Sequence, residues 1–229
     1  MSDAGISLRE ASFSYGDLPV LLETSLDVPR GSAFVVTGDN GVGKSTLLYV
    51  CAGLLPAASG HVLLDGHEPE PRRPSALFQS GVRCGFVFQN GGLLSNQSAL
   101  SNVTLALSYH ADILGLDADA IDRRARDALG EARVAQTDMH SLPAHLSFGV
   151  RKRIALARAL ALEPNFVFFD DPDTGLDATT LSLFHDILLR YRDDPAVTMV
   201  VATNHALLLR RLGVQPLELR GGELLDHDD

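Results

Sequence analysis

Gly38-Asp39-Asn40-Gly41-Val42-Gly43-Lys44-Ser45-Thr46 is the stretch on which the fold turns. It fits the pattern G-x-x-x-x-G-K-S/T, with an extra glycine at position 41. Glycines let the backbone turn so that successive N–H groups point inward. Together with the N-terminus of a following helix, these groups form a cradle for phosphates. In such a loop Lys44 reaches the β- and γ-phosphates and the Ser45 hydroxyl ligates Mg²⁺, with Asn40, Gly41, Gly43 and Thr46 completing the contact set. A glycine-rich turn with a merely solvated lysine would not require a particular context. Here Ala33–Thr37 reads as a short apolar strand leading in, and Ser45–Ala52 reads as a helix leading out.

Outward from this strand–loop–helix unit, the pattern predicts strands at Ile6–Ser14 and Val20–Val28, joined by a hairpin-like Gly16-Asp17-Leu18-Pro19. Further strands are expected at His61–Leu64 and Gly85–Phe88. Helical spacing runs through Leu100–Leu114, Ala120–Val134 and Ser147–Leu162, the last stopped by Glu163-Pro164. Phe166–Phe169 is a continuous apolar run, the signature of a parallel strand buried on both faces. Helix Ala178–Tyr191, strand Val197–Ala202, helix His205–Leu212 and a hairpin around Gly221-Gly222 follow. Alternating strands and helices imply an α/β fold with a mostly parallel sheet and an antiparallel β edge. Residues 90–162 read as an all-helical insert, and residues 1–89 and 163–229 as the α/β core of a single domain.

The chain of 229 residues is 45% hydrophobic and 21% charged, which excludes disorder, collagen-like repetition and a disulfide scaffold. A domain of this size buries a full core without help from metals or disulfides. The formal charge of −10 argues against nucleic acid as a partner, so any phosphate site has to be local. No apolar run reaches the roughly 18 to 20 residues of a membrane-spanning helix, and the start lacks the pattern of a signal peptide. A cytosolic chain is expected, with Cys51 and Cys84 as buried reduced thiols.

A phosphate loop needs a second metal contact. Asp170, at the C-terminal end of the Phe166–Phe169 run, is placed to provide it, unless it only caps the strand-to-loop junction. Asp171 follows, and its carboxylate can orient or deprotonate an attacking water, the alternative being a turn residue before Pro172.

Taken together, Gly38–Thr46, Gln89 after Phe86-Val87-Phe88, Leu146-Ser147-Phe148-Gly149-Val150 with the helix through Leu160, and Phe169-Asp170-Asp171-Pro172 through Asp177 resemble an ABC-type ATPase. These segments follow the family's order over essentially the whole chain. Phosphate-loop kinases and G proteins lack a helix opening like that at Ser147.

The resemblance implies ATP and Mg²⁺ as ligands, with ATP sandwiched in a dimer. One subunit gives the phosphate loop and the second nucleotide-binding subunit gives Ser147 and Gly149, whose helix N-terminus favours an incoming γ-phosphate. It further implies that Tyr15 stacks on adenine, that Gln89 contacts Mg²⁺ and water while its loop touches transmembrane permease subunits, and that Asp177 crosses the dimer interface. The chain would then sit peripherally on the cytoplasmic face of the membrane. Phe88–Leu94 continuing to Asn102-Val103 and Leu107–His110 is similar to ATPases of the Mla/MCE lipid-trafficking type, parts of which lipoprotein-release and cell-division ATPases share.

The chain also departs from the family pattern. Phe148 and Val150 replace a glycine and the glutamine of the usual signature, and Asp171 replaces the usual catalytic glutamate. In Thr203-Asn204-His205 the switch histidine is either displaced by one residue or its position is taken by Asn204. Only His205 can both donate to a γ-phosphate and accept a proton, which favours it. These departures bear on the rate of hydrolysis more than on nucleotide binding. They keep a second expectation open, a weakly or non-hydrolysing scaffold paired with a more active ATPase.

Overall fold

The computed structural model describes residues 4–70 and 73–226. Two long strands, β1 (Ala4–Tyr15) and β2 (Leu18–Pro29), form an antiparallel hairpin whose turn is Gly16-Asp17, with Tyr15 opposite Leu18. The other edge of β1 pairs with β4 (Ser59–Leu64), giving a three-stranded antiparallel sheet. The larger sheet has the order β5 (Cys84–Val87), β6 (Phe166–Asp170), β7 (Thr198–Ala202), β3 (Ala33–Thr37), β8 (Leu217–Arg220), β9 (Glu223–Asp226). All its pairs are parallel except β8 with β9, the antiparallel edge.

The core follows from the two-residue period of a strand. Every residue of β6 is buried. Phe166 and Phe168 point to the side shared with the small sheet and helix α1 (Lys44–Cys51). Val167 and Phe169 point to the opposite side, against α7 (Ala178–Arg192) and α8 (Ala206–Leu212). That explains why the segment reads as an unbroken apolar run. The only strand positions that can be apolar throughout are those covered on both faces.

Between residues 90 and 162 the described elements are all helical. They are α3 (Ala99–Tyr109), α4 (Ala111–Leu114), α5 (Ala118–Glu131), two short 3-10 turns and α6 (Phe148–Leu160), gathered around a separate apolar cluster. Two expectations are corrected here. The helix predicted over Leu100–Leu114 breaks at His110, whose backbone leaves the helical region (φ −113°, ψ 13°) and whose ring stacks on Phe78 at 3.8 Å between centroids. Phe78 belongs to α2 (Pro74–Gln79), a short helix that the sequence pattern did not announce. Of the thiols, Cys51 is buried as expected, whereas the residue Cys84 is half-buried. Both are free, and burial pushes each thiol up to about 12.

Phe168 is fully buried and stacks on Phe86 at 5.8 Å. Phe168→Ala is expected to destabilise the fold by about 3–5 kcal/mol, as cavities left by buried phenylalanines do, and urea denaturation measures it.

Candidate nucleotide-binding site

The loop from Gly38 to Gly43 joins β3 to α1, and two of its glycines are required by geometry. Gly38 and Gly43 have φ of +139° and +116°. A Cβ at Gly38 would lie 2.5 Å from the Leu219 carbonyl oxygen, and one at Gly43 would lie 2.5 Å from Val20 Cγ1. The Lys44 side chain folds back over this loop. Its Nζ donates to the carbonyls of Gly38 (2.7 Å) and Asp39 (3.0 Å), so a nearly buried cation is held at the loop's rim.

One turn of helix places Ser45 and Tyr49 on the same face of α1, and both donate to Asp170. The Ser45 hydroxyl reaches Oδ1 at 2.9 Å and the Tyr49 hydroxyl reaches Oδ2 at 3.3 Å. Burial pushes the Asp170 carboxyl above the usual range, while these two hydrogen bonds and the cations Lys152 and Lys44 pull it back. The Tyr49 hydroxyl is in turn pushed up to about 12, first by burial and then by the Asp170 charge.

Asp171 continues the chain in the left-handed region (φ 41°). Its N–H donates to the Ala202 carbonyl (3.0 Å) and its own carbonyl accepts from Lys152 Nζ (3.0 Å). Lys152, on α6, is fully buried, and burial brings its amine down to about 8 against the pull of Asp173, Asp170 and Asp171. The Asp171 carboxyl is itself raised by burial.

These elements enclose a cleft of about 580 Å³. Asn40, Gly41, Gly43, Lys44, Ser45, Thr46, Gln89, Asp171 and His205 line it together, as do Asp173, Thr174, Thr203 and Asn204. Asp170 lies against Ser45 just beneath. Tyr15 stands exposed beside the loop, edge-on to Phe13, with its hydroxyl 3.4 Å from Thr46 Oγ1. Asn204 spends its whole amide on Gly38, accepting from its N–H (3.2 Å) and donating to its carbonyl (2.8 Å). His205 turns its Nδ1 towards Asp173 Oδ2, 3.0 Å away.

Ser147, Gly149 and Asp177 are not part of this cleft. Ser147 caps α6 by accepting from the Val150 N–H (3.3 Å), and Asp177 caps α7 by accepting from the N–H groups of Thr179 and Thr180 (3.0 and 2.9 Å). The hydrogen bonds from Thr180 hold the Asp177 carboxyl below its usual range. The two caps pack together, a Cβ on Gly149 falling 3.1 Å from Asp177 Oδ2, and Phe148 covers Gly175. Both Ser147 and Asp177 are exposed.

Sequence reasoning missed Tyr49, Lys152 and Asp173. Tyr49 was within reach of the i, i+4 rule applied from Ser45. The other two are set by contacts across the fold.

A phosphate loop after a central parallel strand, a carboxylate at the tip of the next strand but one and a cleft between them define a nucleotide-binding phosphate-loop domain. The sequence profile of the ABC transporter family matches residues 21–174, and the chain belongs to that family. It is 30% identical over 199 residues to the intermembrane phospholipid transport system ATP-binding protein MlaF of Escherichia coli K12, covering 87% of this chain and 72% of that one. It is similarly related to the energy-coupling factor transporter ATP-binding protein EcfA of Methanothermobacter thermautotrophicus, 31% identical over 221 residues, with 96% and 69% covered. The dimeric ATP-binding cassette MJ0796, in a post-hydrolysis state bound to ADP and Pi, superposes with a TM-score of 0.85 at 26% identity over 96% of both chains. Among the described residues no helix is long and apolar enough to cross a membrane.

Lys152→Met keeps the buried bulk while removing the donor to the Asp171 carbonyl. The Asp171 carbonyl then keeps only the long hydrogen bond from the Thr174 N–H (3.4 Å), and losing the shorter one is expected to cost about 0.5–1.5 kcal/mol by urea denaturation. Because Asp171 is then free to shift, ATP turnover is expected to fall about tenfold or more, with nucleotide affinity held.

Proposed function

We propose that the chain is the ATP-hydrolysing subunit of a membrane transporter, working on Mg²⁺-ATP bound in the cleft above Lys44. The observation that carries this reading is the Ser45–Asp170 hydrogen bond, which brings the phosphate loop and the tip of β6 into one oxygen-rich site beside Asp171. Ser45, Asp170 and Gln89 offer hard oxygen ligands suited to Mg²⁺, which screens the phosphate charge when bound. Lys44 exchanges the loop carbonyls for β- and γ-phosphate oxygens, and the amides of Asn40, Gly41, Gly43 and Thr46 surround them. Tyr15 covers the adenine. Asp171 orients the attacking water and takes its proton. His205 is the contact to the γ-phosphate, a reading supported by the engagement of the Asn204 amide with Gly38.

In the same reading a second nucleotide-binding subunit, a copy of this chain or a related one, closes over the ATP. It does so with Ser147 and Gly149 at its α6 N-terminus and Asp177 at the interface. Residues 90–162 form a helical subdomain that, with the Gln89 loop, passes closure on to permease subunits, so that the chain lies peripherally on the cytoplasmic side of a membrane. The relation to MlaF supports a lipid or other hydrophobic cargo. Mass spectrometry of lipids that co-purify with the whole transporter tests that cargo, and their absence would remove it.

Lys44→Ala is expected to abolish ATP binding or its productive geometry, since no other side chain of the loop carries a positive charge. Calorimetry with ATP checks this, and unchanged affinity and activity would refute the site.

Asp171 carries one methylene fewer than the glutamate usual in the family, which sets its carboxylate about 1 Å back from the water. Such a displacement costs on the order of a hundredfold in rate. Asp171→Glu is therefore expected to raise kcat with little change in KM, and Asp171→Asn to abolish hydrolysis and leave a closed, ATP-bound dimer detectable by light scattering. Should neither substitution alter the rate, the chain is a nucleotide-binding scaffold beside a more active ATPase.

A further inference from the structure

Behind the cleft, three side chains from three different segments converge. Asp173 comes from the loop between β6 and α7, His185 from the buried face of α7, and His205 from the N-terminus of α8. One ligand atom from each lies within 4.8 Å of the other two. Two of these residues, Asp173 and His185, are buried. Among the described residues, Asp173 Oδ2 and His185 Nε2 both lack a hydrogen-bond partner, His185 being 1% exposed. A buried polar atom without a partner is a cost that native proteins rarely leave uncompensated. The third member, His205 Nδ1, stands 3.0 Å from Asp173 Oδ2, yet the pair lacks the alignment of a hydrogen bond. Two donor atoms side by side and not aimed at each other stand as neighbouring ligands do around a common centre. The edge of a tetrahedral shell with bonds of about 2.0–2.1 Å is roughly 3.3 Å.

We propose that Asp173, His185 and His205 form a site for a divalent transition-metal ion of the Zn²⁺ type. Two imidazoles and one carboxylate are the ligand chemistry of zinc rather than of magnesium, which prefers oxygen alone. Three protein ligands leave a fourth position open, and Asp173 and His205 both line the cleft, so that position faces solvent there.

Arg211 sets the affinity. Its Nη1 lies 3.2 Å from His185 Nδ1, and its Nη2 donates to Asp186 at 3.2 Å. Metal on Nε2 requires the proton on Nδ1, so Arg211 must give up that contact and keep only Asp186. Its charge also opposes the incoming cation. Resting on the role given above to His205 at the γ-phosphate, a bound ion holds that ring against Asp173 and slows hydrolysis.

The test uses the full chain, free of any affinity tag and stripped with a chelator, titrated with Zn²⁺ in a calorimeter in the absence of nucleotide. Co²⁺ absorption serves as the probe of geometry. The expected result is one Zn²⁺ site with a tetrahedral Co²⁺ spectrum, lost in His185→Gln and tightened about tenfold or more in Arg211→Ala as a competing cation is removed. Binding of equal stoichiometry and affinity in folded His185→Gln, or an octahedral Co²⁺ spectrum, would overturn the site. Arg211→Ala, at an exposed position, decides the matter should His185→Gln not fold, an affinity no tighter than that of the parent counting against the proposal. Zn²⁺ is also expected to inhibit ATP turnover of the parent and to spare His185→Gln, whose basal rate stays at the parent level. Binding without inhibition upholds the metal site and overturns instead the role given to His205.

Discussion

A single buried carboxylate organises this molecule. Asp170 is 1% exposed at the end of a strand covered on both faces, and a carboxylate in such a place is tolerated only when its oxygens are satisfied. Ser45 and Tyr49 satisfy one oxygen each, tying the first and second turns of α1 to the tip of β6 across more than a hundred residues of sequence. The parallel register then does the rest. Asp170 sits opposite Ala202, whose carbonyl receives the Asp171 N–H, so the two strands deliver Asp171 and the segment 203–205 to the same edge. Gly38 leaves β3 and Gln89 follows β5 at that edge too. The cleft is the crevice beyond the C-terminal ends of the parallel strands, where an open α/β sheet binds its ligands.

A second tie runs from the helical layer into this edge. Lys152 is carried by α6, and burying an amine has a cost that its surroundings must offset. The Asp171 carbonyl and the nearby carboxylates of Asp170, Asp171 and Asp173 do so, and the Phe148 ring lies 6.0 Å from Nζ. The helix whose N-terminus carries Ser147 and Gly149 is therefore fastened to the backbone of the residue proposed to handle the water. The bulky Phe148, where the family has glycine, strengthens that link by packing over Gly175 in the loop after β6.

How much of this could be read from the sequence depended on the range of the cause. The phosphate loop and β6 were legible because their signals are local, glycines where φ is positive in one case and two-sided burial in the other. The bounds of β3 agreed residue for residue with the apolar run Ala33–Thr37. The break at His110 was not legible, since its cause is a ring stacked on Phe78, thirty-two residues earlier and in a helix too short to show a period. Lys152 lies between Arg151 and Arg153 in the helix expected over Ser147–Leu162, yet it is fully buried, its amine donating to the Asp171 carbonyl. His185 falls inside the helix expected over Ala178–Tyr191. Nothing in its neighbourhood along the chain reveals that Asp173 and His205 meet it.

The departures from the family pattern at Asp171 and at Asn204-His205 share a backbone logic. Asp171 has a φ of 41°, a region where the short side chain of aspartate is among the better tolerated. Glutamate is not excluded from it, for Glu10, Glu23 and Glu163 adopt the same conformation elsewhere in the chain. In the proposed role of Asp171, reach towards the water and comfort of the backbone pull in opposite directions, and aspartate favours the second. Asn204 is likewise chosen for a backbone task, its amide matching both the N–H and the carbonyl of Gly38 as no imidazole could. With the entry to the phosphate loop secured in that way, the histidine one residue further on is released from the loop. It is free to face the cleft on one side and the Asp173–His185 pair on the other.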